Sequence, residues 1–416
     1  MVAMSKTMFI ERRIPMVSRS RIISAIALCL LQGVAFAATF HVEKWGSDAS
    51  AHCGAKASPC LSIGQAISQA SKNDRIRVGP GIYEENLAIN IEGLKLESTA
   101  GRHGTAIWAA LDTLPAVTIS VINVRFGKPG KGFTVHRSTT NTMFSLAAGV
   151  LAVNADKLKL EGNLAFGNRV GFILSGDRIQ IRDNIIEDNN QEGIICNGCP
   201  RVNIASNRIG DNFRALDIIN SPGMRFERNY LSGNSLSMSI DNAGDNSSIL
   251  NNVSYNNVAE GLRIDTGDGV TIKGNIASVL RDDFAQDNGL NARELPATAV
   301  GNAKPLRIEH NLFLGFNGHG FSVRDFADAS IRNNHALQNQ FSGIRLEPDA
   351  ALLKVNIRNN AGYANDSSCS IENVTTVVMQ VFNQFIGTGT PCGPLDYQGG
   401  IPPRPATLNI NRARKL

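Results

Sequence analysis

Nine times between residues 158 and 365 the chain repeats one short pattern: apolar, any residue, apolar, two residues, then Asn. The first Asn of each unit falls at Asn163, Asn184, Asn207, Asn229, Asn252, Asn275, Asn311, Asn334 and Asn360. Successive units are 21 to 26 residues apart, except for one 36-residue step after Asn275. Three positions before each Asn stands an apolar residue, from Leu160 and Ile181 through Phe226 to Ile357. Five positions before it stand Leu158, Ile179, Val202 and their equivalents, apolar in most units. A spacing of two puts both side chains on one face of a strand. Seven units carry a second Asn five residues on, from Asn168 to Asn365. Short apolar runs such as "GFIL", "GIIC" and "GLRI" follow, each headed by a small residue.

A repeat of this length specifies a solenoid, in which each unit buries its apolar face against its neighbours. A leucine-rich repeat needs a further Leu eight positions before the Asn. Most units have a small residue there, among them Ala155, Gly176, Cys199 and Ser221. The repeated apolar residues are rich in Ile, which favours strand, and no helical period recurs. The expectation is an all-β parallel β-helix of about ten coils, each of ~22–23 residues with three short strands. Equivalent residues then stack into columns at the strand spacing of about 4.8 Å. The Asn columns are expected at the turns, both because Asn tolerates left-handed backbone and because stacked amides bond one another. Their reading is structural.

Residues 60–89, "CLSIGQAISQASKNDRIRVGPGIYEENLAI", have another character. They predict an amphipathic helix at 62–71 with Ile63, Ala66, Ile67 and Ala70 on one face, then a strand at Ile76–Val78. A solenoid exposes its core at its ends and needs a cap. This segment closely resembles the N-terminal cap of the pectin lyase-like family of right-handed parallel β-helix proteins. The resemblance covers roughly residues 40–390 and implies a right-handed coil. It is specific for fold; the family holds lyases, hydrolases, esterases, epimerases and proteins without known catalysis.

The first 37 residues read as a secretory signal, with Arg12, Arg13, Arg19 and Arg21 ahead of an apolar run and "AFA" at 35–37. Cleavage is expected after Ala37, giving a periplasmic or secreted protein. The expected organisation is a signal at 1–37, a cap at 38–95, the solenoid at 96–395 and a Pro-rich basic tail at 396–416. The leader accounts for +4 of the chain's net charge of +5, so the remainder is near neutral. The basic pI therefore gives no reason to expect nucleic acid, and no later stretch is apolar enough to span a membrane. Six cysteines remain in three local pairs, Cys53/Cys60, Cys196/Cys199 and Cys369/Cys392, the even count that disulfides require in an exported protein. For Cys196-x-x-Cys199 a free or redox pair and a metal site are the other readings.

Relatives of this fold work on one long face, where outward side chains of successive coils line a groove for an extended sugar chain. Here the corresponding column, eight residues after each first Asn, is expected to run through Glu192, Ala215, Ser237, Glu260, Asp283, His319 and Ser342. Outward neighbours include Asp217, Ser239, Asp241, Arg263, Asp265, Ser322, Arg324, Arg345 and Glu347. Four motifs resemble, in coil order, the catalytic set of polygalacturonases: "VAE" ending at Glu260, "RDD" with Asp282 and Asp283, "GHG" with His319, and "RLE" starting at Arg345. The resemblance implies that Glu260, Asp282 and Asp283 supply the acid and base of glycoside cleavage. It implies that His319 tunes their protonation and that Arg345 holds a substrate carboxylate, while Arg263, Arg324 and Glu347 are expected to bind substrate beside it on the same face. Glu260 stands where those enzymes have Asp, and Glu347 where they have Lys, so the substrate need not be polygalacturonan; a uronide lyase or epimerase is the other catalytic reading. No cofactor is required. Calcium is a candidate at Asp241 and Asp265, adjacent like charges that otherwise need Arg263 for compensation. The expected partner is an acidic polysaccharide and the expected state a monomer. The alternative is a non-catalytic carbohydrate-binding or cell-surface scaffold.

Overall fold

The computed structural model describes residues 37–49, 52–136, 147–241, 246–266, 269–279, 288–294, 305–324, 328–347, 354–363, 365, 367–371, 377–381 and 384–386. The inferred signal and the basic tail lie outside these residues, apart from Ala37 itself. Each coil lays down three short strands. They stack into three parallel sheets of 14, 12 and 13 strands. The first sheet runs from Thr39–Val42 to Val377–Val381, the second from Leu87–Ile89 to Ser367–Ile371, and the third from Gly81–Glu84 to Gln384–Ile386. Within a coil the chain passes from the first sheet through the Asn turn to the third, then to the second.

The register follows the sequence repeat. Leu160 pairs with Ile181, Ile181 with Ile204 and Ile204 with Phe226, and the column continues inward to Ile357. Every member is fully buried. The ladder Asn residues are buried beside this column. The backbone N–H and the Nδ2 of Asn184 both donate to Oδ1 of Asn207, each at 3.0 Å, and Nδ2 also donates to the Leu160 carbonyl at 2.9 Å. The second ladder repeats this from Asn168 through Asn189, Asn212 and Asn234 to Asn257. Each amide thus satisfies backbone groups that the turn removes from the sheets.

The structure corrects one expectation. The ladder Asn residues do not adopt positive φ. The residue before each does: Asp183 at 55°, Ser206 at 57°, Arg228 at 54° and His310 at 57°, with Gly162 and Gly274 in two coils. The left-handed corner and the amide ladder are therefore adjacent positions with separate duties.

The cap forms as expected, with its helix shorter, at Ile63–Gln69. Ser62 caps it by accepting from the Gln65 N–H, and Ile63, Ala66 and Ile67 are buried. Glu85, from "GPGIYEENL", accepts from the N–H groups of Ile63 and Gly64 at 2.8 and 2.7 Å. A carboxylate at a helix N-terminus is favoured by the unpaired donors there, although burial holds its pKa above the ordinary value. Cys53–Cys60 and Cys196–Cys199 are disulfides, and both sulfurs of the second pair are buried, as a structural bridge requires. Cys392 lies outside the described residues, and with it the third pair. Among those residues no helix is long and apolar enough to cross a membrane.

Candidate functional site

The outward column of the second sheet carries the polar cluster. The parallel register sets Ser239 beside Arg263, Arg263 beside Asn291, Asn291 beside Ser322 and Ser322 beside Arg345. Two residues further along the strands, the backbone register aligns Asp241, Asp265, Arg293, Arg324 and Glu347. In earlier coils the first of these columns is apolar, through Leu151, Ile173 and Ile195, before Asp217 opens the charged part.

At the head of these strands the expected column needs two corrections. Ala215 and Ser237 point inward and are buried. Their places are taken by Arg214 and Leu236, because Glu192 pairs with Arg214 and Arg214 with Leu236. These coils have one residue fewer between the second Asn and the strand, and a one-residue slip reverses facing. The second correction falls in the 36-residue coil. The N–H of Gly261 donates to the Asn288 carbonyl, and that of Gly289 to the His319 carbonyl. The column therefore reads Glu260, Asn288, His319, with Asn288 where Asp283 was expected. Asp282 and Asp283 lie outside the described residues.

Glu260 accepts a 2.5 Å hydrogen bond from Asn291 Nδ2, and Asn291 Oδ1 accepts from Arg324 Nη2 at 3.2 Å. His319 Nδ1 accepts from the Ser342 N–H at 3.0 Å, and Arg345 Nη1 lies 3.1 Å from His319 Nε2. Burial, Arg345 and Arg324, in that order, lower the His319 pKa to about 4. Its imidazole is therefore neutral at physiological pH. A neutral imidazole has one acceptor nitrogen, yet both of its neighbours are donors. An anion lodged between Arg345 and His319 would relieve that mismatch.

Asp241 and Asp265 are outward neighbours as expected. Arg263 pairs with Asp265 at 3.1 Å, the salt-bridge form of compensation. Asp241 hydrogen-bonds only weakly to Ser239, at 3.4 Å. Burial, Asp265 and Asp217 hold its pKa above the ordinary range. Glu347 is placed by its backbone, paired with Arg324. Elsewhere, the one cluster of potential metal ligands among the described residues is Asp48, Cys53 and Cys60. Its two sulfurs are bonded to each other, and Asp48 accepts from the Leu61 and Ser62 N–H groups.

Sequence reading missed two aromatic residues. Phe213 and Phe341 stand immediately before the strands Arg214–Ile219 and Ser342–Glu347, and each is about half exposed, at 52% and 51%. The Phe341 ring lies 5.6 Å from that of His319. Phe213 lines a shallow hollow of about 460 Å³ with Asp188, Asn190, Asp211 and Ser235. The signal was available: a Phe in "DNFR" and "NQFS", directly before the strand.

Residues 126–279 match the family described as a right handed beta helix region. No curated protein sequence matches the chain. Among solved structures it is similar to the catalytic domain of an alpha-1,3-glucanase complexed with tetrasaccharides, at 13% identity and a TM-score of 0.60, covering 77% of this chain and 67% of that one. It is similar to the catalytic unit of an alpha-1,3-glucanase from Streptomyces thermodiastaticus, at 13% identity and TM-score 0.59, covering 80% and 67%. It is also similar to the A-module of a mannuronan C-5 epimerase from Azotobacter vinelandii, at 12% identity and TM-score 0.55, covering 77% and 93%. In fold, this protein is a right-handed parallel β-helix.

Proposed function

We propose that this is an exported protein that binds an acidic polysaccharide along the outer face of the second sheet. The observation that carries this reading is the cluster at one end of that face. Arg324 and Arg345 stand on successive strands, His319 is neutral between cationic and backbone donors, and Phe341 offers an exposed ring beside it. Arginine suits a uronate carboxylate because its planar fork matches the two oxygens. The export reading is supported by the leader's composition and the disulfides.

The chemistry that these groups suit is proton abstraction from the carbon bearing a uronate carboxylate. Arg345 and the Nε2–H of His319 hold the carboxylate, Glu260 of the same column takes the C5 proton, and the electron pair moves into the carboxylate they hold. The pair then either expels the 4-O substituent, giving an unsaturated sugar, or takes a proton back on the opposite face. The purified protein should bind polyuronate oligosaccharides, and incubation should give absorbance from unsaturated ends or an altered C5 configuration. Binding without either product leaves a carbohydrate-binding scaffold. No binding removes the reading.

A further inference from the structure

The first sheet has its own outward face, remote in sequence pattern from the cluster just described. Its register puts Thr39, Arg75, Lys95, Arg125 and Lys159 in single file over five successive strands. The file continues through Gln180 and Asn203 to Arg225. It then runs over Ser248, Thr271 and Arg307 to Ser330 and Asn356. No position from Thr39 to Asn356 in this column is acidic or apolar. Lys128 and Lys131 follow in the turn after Arg125 and add to the positive end.

The neighbouring outward column holds the carboxylates. Glu97 is shared by Arg75 at 3.2 Å, Arg77 at 3.7 Å and Lys128 at 3.3 Å. Glu161 meets Arg125 at 3.6 Å. Burial raises the Glu97 pKa, but Lys128, Arg75 and Lys131 outweigh it and hold the carboxyl below its ordinary range. Among the described residues no carboxylate comes within ion-pair distance of Lys95, Lys131 or Lys159. The surface therefore has more cations than its own carboxylates neutralise, and Arg75, Arg77, Arg125 and Lys128 each keep about 40% of their side chains exposed.

We propose that this file is a second binding track for a linear polyanionic sugar chain, separate from the second-sheet face. A coil presents one cation about every 4.8 Å along the solenoid. A polyuronate presents one carboxylate per sugar. The track is one side chain wide, and carboxylates flank it at Glu97, Glu161 and Glu227. These carboxylates are buried and ion-paired, so they hold the neighbouring cations in place, and the unpaired Lys95 and Lys159 are left to a single chain lying along the file. Beyond Lys159 the amides of Gln180 and Asn203 continue the file with groups that match sugar hydroxyls. The proposal shares its ligand class with the second-sheet reading and places the ligand elsewhere.

The test uses polygalacturonate oligomers, with a neutral glucan of equal length as control. Wild type is compared with Lys95→Gln/Arg125→Gln/Lys159→Gln, with Gln180→Glu/Asn203→Glu, and with Arg345→Gln. The triple variant should lose affinity on the order of tenfold or more, with a shallower salt dependence, because fewer counterions are released. The Glu pair should weaken binding without removing any cation. The Glu pair should keep the wild-type melting temperature, and the triple variant, which takes Arg125 from the buried Glu161, should melt a few degrees lower but stay folded and monomeric at the assay temperature. Arg345→Gln should retain the salt-sensitive component. If Arg345→Gln abolishes all binding and the track variants are silent, the track is refuted and the second-sheet face stands. Binding to neither face refutes both. Equal, salt-sensitive binding of duplex DNA or phosphatidylglycerol vesicles refutes the track as a sugar site and marks it as a generic cationic surface.

Discussion

His319 shows how much a single position depends on its neighbours. In sequence it is the centre of "GHG"; in the structure it is a half-buried neutral imidazole facing Arg345 and the Ser342 N–H. Its ring carbons should titrate by NMR at about 4, against 6.5 for an ordinary histidine. Arg345→Gln should move that midpoint upward. The linkage has a definite sign. With the folded pKa depressed, the unfolded chain binds the proton first, so this site's contribution is retained above the ordinary value and falls as pH drops from 6.5 towards 4. A midpoint near 6.5 in the native protein would show that Arg345 and burial do not act on the ring. The ladder Asn residues make the complementary case. Asn207→Ala removes an acceptor from Asn184 and a donor from the Ile181 carbonyl. Stranded buried groups cost roughly 1–3 kcal/mol each, so a loss of about 3 kcal/mol is expected. Exposed Asn190→Ala, on the neighbouring turn, should change the melting point by no more than a degree or two.

Among the elements, the N-terminal helix has most to do for its size. It is one of the few non-repeating parts of the fold, and it packs at the end of the solenoid where the inward column begins with Phe40 and Ile76. Ile63 and Ala66 are fully buried and Ile67 nearly so. Glu85 and Ser62 together satisfy donors of its first turn. Ile67→Glu should place a charge against the core and leave the terminal strands open to edge-to-edge pairing. Size-exclusion chromatography should then show aggregates; a monomer with unchanged melting would mean the cap is dispensable. A strand in mid-solenoid should behave differently. Phe226→Ala opens a cavity between Ile204 and Ile249, with an expected loss of about 3–5 kcal/mol but no change of association state.

At the scale of the molecule, each coil contacts chiefly the coil before and the coil after, so stability is close to a sum of coils and interfaces. Duplicating residues 180–202 in tandem should add one more turn and leave both Asn ladders in register. The variant should remain soluble, with unchanged β circular dichroism and a melting temperature within a few degrees. Duplicating only 180–190 should unfold it, because the second ladder and every later inward column would lose their partners. Survival of the half-coil variant would contradict the account of register given above.

The sequence by itself determined the repeat, and through it the solenoid, the inward column from Leu160 to Ile357, the two Asn ladders and the position of the cap. These are legible because they recur: nine near-copies of one local pattern leave few ways to bury nine apolar faces. Facing and register were decided only in three dimensions. Arg214 and Leu236 displaced Ala215 and Ser237 because a coil can shed one residue at a corner without disturbing the ladder, and such a slip leaves no mark in the periodicity. Asn288 took the place expected for Asp283 because the extra residues of the long coil are distributed on both sides of its second-sheet strand. The left-handed corners fell to the residue before each ladder Asn, in some coils a type that tolerates the conformation, such as Gly162, Asp183 or Asn251, and in others Ser206 or Arg228, which do not advertise it. The cationic file of the first sheet was equally silent in one dimension. Arg75, Lys95, Arg125 and Lys159 are 20 to 34 residues apart in the chain, and only the stacking of strands makes them neighbours.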